Sequence, residues 1–194
     1  MLGILYLTIA IFWGSAVCQC IFPDMAEWTE KSFSGRKIKV CSLFLIVPAW
    51  IYTGLIPMTW LVYILSYAMR LSENGMLYAN IVVMALFFAS GVVMYIVRKV
   101  QGELRLPGLR AMAFSKGEVF FLVFVLYLSL RLFFTTFRIE GDTLYVGLSV
   151  FSDFSPHLGM IRSFSGGTNF PTSYSHFAGE DIKYHFMFQF LVGN

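Results

Sequence analysis

Four apolar runs, at residues 2–22, 40–69, 76–97 and 118–137, decide what this chain can fold into. Each holds about 20 residues or more, the length at which an α-helix crosses a hydrocarbon layer of roughly 30 Å. They are too long and too uniformly apolar for the alternating strands of a membrane barrel. The predicted class is therefore all-α: a polytopic transmembrane helical bundle. A mean hydropathy of +0.72 with only 13% charged residues agrees with that class and excludes an ordinary water-soluble core. The second run is longer than one straight span needs, and Pro48, Gly54 and Pro57 interrupt it. No polar turn divides it, so one tilted or kinked helix is expected, with a re-entrant segment as the alternative.

The first run lacks the basic start of a signal peptide, since the first lysine is Lys31. Val17 before Cys18 is a poor lipoprotein cleavage residue, so an uncleaved helix with its amino end outside is expected. Lys31, Arg36, Lys37 and Lys39 precede the second run, and Arg98, Lys99, Arg105, Arg110 and Lys116 lie between or beside the third and fourth. Basic residues in short loops stay cytoplasmic, which places residues 138–185 on the extracytoplasmic side of the cytoplasmic membrane. The net charge of +3 is accounted for by this topology, so no nucleic-acid partner is implied; membrane lipids are. Cys18, Cys20 and Cys41 form no disulfide framework, and residues two apart on a helix point different ways. Residues 186–194 turn apolar again and read as the start of a fifth, truncated transmembrane helix, the chain being an amino-terminal fragment.

The chemistry gathers in residues 138–185, a loop rich enough in aromatic and aliphatic residues to pack, in part as helix. In "FSDFSPHLGMIRSF" Ser155 is a good helix cap with Pro156 at the first helical position; if Ser152 caps instead, Asp153 and His157 share a face four residues apart. Either way Asp153 lies in the positive field of a helix start, as a capping acid or as a functional one. All three histidines of the chain, His157, His176 and His185, fall in this loop with Asp153, Glu180 and Asp181. Such a set binds a divalent metal or moves protons, although its spacing matches no compact zinc signature. Arg131 stands inside the fourth apolar run and Arg138 follows seven residues later, on the same face if the helix continues. Arg131 either snorkels to the interface or offers its guanidinium to a lipid phosphate.

Taken in order, Asp153, His157, "IRSF" at 161–164, Pro171, "FAG" at 177–179 and "KYHF" at 183–186 resemble the first large outer loop of GT-C-type polytopic membrane glycosyltransferases. The resemblance covers residues 138–194 and implies transfer of a sugar from a polyprenyl-phosphate carrier to an envelope acceptor. It implies Asp153 as the catalytic base or a metal-linked acid, and Arg131, Arg138, Arg162 and Lys183 as candidates for the carrier phosphate. His157, Tyr184 and His185 are further loop candidates, and Glu180 and Asp181 would hold a divalent Mg or Mn ion in members that use one. The alternative is a non-enzymatic polytopic protein, a transporter or an envelope-assembly scaffold, whose outer loop only packs and caps.

Overall fold

The first apolar run folds as helix α1 (Leu2–Ile21), and Ala10, Gly14 and Cys18, spaced four apart, give it a shallow face. Against that face lies α2 (Leu43–Ala68), which keeps Pro48 and Pro57 inside one continuous helix. The two helices touch backbone to backbone. A β-carbon on Gly54 would stand 1.8 Å from the Ala10 carbonyl oxygen, and one on Gly14 would stand 2.0 Å from that of Trp50. Helix α3 (Gly75–Val100) completes the group by packing on both. The computed structural model describes every residue except 1, 25–29, 34–35, 40–42, 106–113, 148–150 and 175–178.

Several polar groups in these helices pair with one another. Tyr6 bonds Thr59 at 3.1 Å, Trp13 donates to Ser90 at 2.9 Å, and Ser15 bonds Tyr95 at 2.6 Å. Each pairing removes a cost that an unmet polar group would carry in hydrocarbon. The pairings also fix direction: α1 runs antiparallel to α2 and parallel to α3. Where α1 and α3 end together, Arg98 donates to the Gln19 carbonyl at 2.6 Å and pairs with Glu103, while Arg105 reaches Asp24 at 2.7 Å. Cys18 is buried and Cys20 exposed, as their spacing on one helix requires.

The chain divides into two compact units, residues 1–114 and 115–194. The first holds α1–α3 and a short antiparallel hairpin, β1 (Glu30–Phe33) with β2 (Arg36–Lys39). The second opens with α4 (Lys116–Thr136), started by a capping box in which Ser115 accepts from the Glu118 amide and Glu118 accepts from that of Ser115. Only Thr136 of α4 is buried. A helix apolar on all sides is stable where lipid covers it. All four long helices are long and apolar enough to cross a membrane, the architecture of a multi-pass membrane protein.

The architecture is mostly helical, as the all-α class predicts, with two short hairpins added. The second, β3 (Phe137–Glu140) with β4 (Thr143–Val146), begins where α4 stops and turns through Gly141 and Asp142. This corrects the expected pairing of Arg131 and Arg138 on one helical face. Arg131 lies in α4 and Arg138 on a strand, where it pairs with Glu140 at 3.2 Å and lies over the Tyr145 ring. Helices α5 (Phe151–Ser165) and α6 (Met187–Gly193) complete the unit; α6 occupies the segment expected to open a fifth helix.

Candidate functional site

The start of α5 is earlier than a Ser155 cap allows, and Pro156 lies within the helix rather than at its first position. There its ring forfeits only the bond to the Ser152 carbonyl, near the helix start, where few such bonds exist to lose. The earlier start puts Asp153 in the first turn and His157 one turn further along the same face. Phe154 meets Phe137 edge to face at 4.9 Å, which ties this turn of α5 to the point where α4 ends.

Behind that face a cluster of phenylalanines holds α6 against α5. Phe164 and Phe190 are fully buried, with ring centroids 5.2 Å apart, and Phe170 and Phe186 flank Phe164 at about 6 Å. Gly193 closes the contact, since a β-carbon there would stand 2.5 Å from the Ile161 carbonyl oxygen. Asn169 fixes the connecting segment: its amide nitrogen donates to Ser163 Oγ at 2.8 Å, and its Oδ1 accepts from the Ser173 amide at 2.9 Å. The segment then returns past an antiparallel bridge between Ser173 and Asp181.

The result is a pocket of about 210 Å³ lined by Asp153, Pro156, His157, Met160, Tyr174, Ile182, Tyr184, His185, Phe186 and Gln189. Four residues singled out in the sequence, Asp153, His157, Tyr184 and His185, thus share one cavity across a gap of about thirty residues. Asp153 is exposed at its edge, and the Tyr184 ring lies 6.1 Å from His157 and 3.8 Å from His185. Its lining combines apolar side chains (Pro156, Met160, Ile182, Phe186) with a carboxylate, phenols and imidazoles. Such a pocket can orient a ring-bearing ligand by its apolar side while exchanging protons with its hydroxyls.

Other candidates fall outside the pocket. Arg131 and Arg162 are exposed on α4 and α5, and Lys183 is exposed beside Tyr184. Glu180 and Asp181 are exposed on the returning segment, where the Glu180 carbonyl accepts from the Tyr174 amide at 3.1 Å. Among the described residues no three histidine, cysteine or carboxylate groups converge as a metal site would need. His176, most of the "FAG" stretch and Cys41 lie outside the described residues. Sequence reasoning missed Gln189, which lines the pocket and bonds His157 at 2.6 Å. Its signal was a single polar side chain in the apolar run from Phe186 to Val192, which needs a partner if buried. Comparison with protein-family models, with curated proteins and with solved structures finds no match for this chain.

Proposed function

We propose that this protein is a membrane glycosyltransferase that takes a sugar from a polyprenyl-phosphate carrier, on the extracytoplasmic side of the cytoplasmic membrane, and passes it to a hydroxyl of an envelope acceptor. The observation that carries the reading is the gathering of Asp153, His157, Tyr184 and His185 in one pocket, with Phe154 packed on Phe137 at the end of an apolar helix. That joint supports the reading, because a carboxylate held near the end of a membrane span would stand where a water-borne hydroxyl can meet a lipid-borne phosphate. The basic segments before α2 and α4 support the side assigned to it, and the order of motifs in residues 138–194 supports the donor class.

In this reading Asp153 accepts the proton of the acceptor hydroxyl as its oxygen forms the new bond to the sugar's anomeric carbon. The bond from that carbon to the phosphate oxygen breaks, and polyprenyl phosphate departs with the electron pair. Cations steady the departing phosphate, with Arg131, Arg162 and Lys183 as the candidates; Arg138 already has Glu140 as its partner. The test is Asp153→Asn in the full-length protein, assayed in membranes with radiolabelled polyprenyl-phosphate sugars. Asp153 is exposed, so the variant should reach the membrane at the normal level while transfer falls about 10²-fold to 10⁴-fold. Transfer at the unsubstituted rate would overturn the proposal.

A further inference from the structure

We infer that the hairpin of β3 and β4 is a membrane-surface anchor, whose apolar face seats Ile139 and Leu144 in the lipid interface at the end of α4 while its charged face turns to water. The register fixes the two faces. Residues directly opposite across an antiparallel pair share a face, and neighbours along a strand alternate. Phe137 with Val146 and Ile139 with Leu144 therefore make one face, and Arg138 with Tyr145 and Glu140 with Thr143 make the other. The contacts agree, since Arg138 pairs with Glu140 and lies over the Tyr145 ring, all on the second face. The first face carries no polar side chain. Ile139 on it is 74% exposed and Leu144 47%, so the described chain leaves both largely uncovered.

What covers that face follows from where the hairpin is attached. Strand β3 begins at the residue after α4 ends, with no linker between them. Past β4 the Gly147 amide donates to the Thr136 carbonyl at 2.8 Å, so both strands are tied to the last turn of the helix. The Phe133 and Phe137 rings, 5.6 Å apart, carry the apolar surface of α4 onto the hairpin. As a span, the 21 residues of α4 measure about 31 Å against a hydrocarbon layer of roughly 30 Å, which puts the helix end at the lipid boundary. Any tilt draws it deeper. Ile139 follows Thr136 by three residues, a reach of about 10 Å at most, and the headgroup layer is about 5–8 Å deep on each side. At that depth lipid removes Ile139 and Leu144 from water, and the hairpin lies flat because Arg138 and Glu140 on its other face stay hydrated.

Seating the hairpin has a consequence for the pocket. Phe137, on the seated face, meets Phe154 of α5 edge to face at 4.9 Å, and Asp153 is the residue before Phe154. The anchor thus sets the height of the α5 start above the bilayer. The inference takes α4 as a membrane span and needs nothing of the transfer reaction.

The experiment is electron paramagnetic resonance of the full-length protein in vesicles of phosphatidylethanolamine and phosphatidylglycerol, with Cys18, Cys20 and Cys41 replaced by alanine and one nitroxide on an introduced cysteine. The labelled variants are Ile139→Cys and Leu144→Cys on one face and Glu140→Cys and Thr143→Cys on the other, with Leu126→Cys in the middle of α4 as the lipid reference. All five positions are exposed, so a label at each is accommodated without repacking. Oxygen, which concentrates in lipid, should relax the labels at 139 and 144 more than a water-soluble nickel chelate does. The ratio of the two effects should stand several-fold above that at 140 and 143. Equal ratios at all four positions would overturn the inference, since both faces would then meet one medium. So would labels at 139 and 144 shielded from both reagents, because protein rather than lipid would then cover the face. A water-like ratio at 126 would overturn it by removing α4 from the bilayer. None of these readings depends on the transfer assay of Asp153→Asn, whose failure leaves the anchor standing.

Discussion

Gly54 shows how much one hydrogen atom decides in this chain. Alanine is the better helix former by about 1 kcal/mol, which would favour Gly54→Ala on an isolated helix. Here the added carbon would meet the Ala10 carbonyl at 1.8 Å, and that obstacle is backbone, which cannot rotate away. The helices must part, and overpacking of this kind costs about 1–3 kcal/mol, so the clash outweighs the propensity. Gly54→Ala should therefore lower the thermal unfolding midpoint of the detergent-solubilised protein. Gly3→Ala is the control on α1, where a β-carbon meets nothing within 4 Å and the midpoint should hold or rise slightly. Equal shifts in the two variants would remove the close approach of α1 and α2 as a source of stability.

Elements differed in how openly the sequence announced them. The four long helices were legible because apolar length alone defines them, and their observed bounds lie within a few residues of the expected ones. The hairpin of β3 and β4 was written in "FRIEGDTLYV", a two-residue Gly-Asp turn between short strands, with Gly141 at φ 60°. It was overlooked because an apolar helix runs directly into it, and hydropathy does not mark where helix becomes strand. In the candidate site the reactive side chains were legible by type, but their convergence was not, since it depends on α6 folding back over α5. The joint is the buried Phe164, on which Phe170, Phe186 and Phe190 pack. Phe164→Ala should cost about 3–5 kcal/mol and open this joint. Hydrogen exchange should then show lost protection in both α5 and α6, whereas α1–α3 keep theirs. Protection retained in α6 would show that the phenylalanine cluster does not hold the pocket together.

For the molecule as a whole the decisive quantity is which side of the membrane each segment faces. Within residues 1–114, α1 and α3 run parallel and α2 against them, so the end of α3, with Arg98 and Lys99, lies at the same end as the start of α2, which lysines 31, 37 and 39 precede. By the tendency of basic residues near span ends to stay inside, that side is the one proposed to face the cytoplasm. In the proposed topology α4, whose length allows one crossing, carries the chain from that side to the opposite face, where Asp153 would lie. With Cys18, Cys20 and Cys41 replaced by alanine, Asp153→Cys should react with a membrane-impermeant maleimide added to intact cells. Lys99→Cys should react only after the membrane is opened. Both positions are exposed, so failure to label would report sidedness rather than burial. If both cysteines reacted from one side, α4 would not cross, and a donor carried in the outer leaflet would have no access to the pocket. Labelling of Asp153→Cys alone from outside would place the carboxylate where a polyprenyl-linked sugar is presented, the condition the transfer reaction cannot do without.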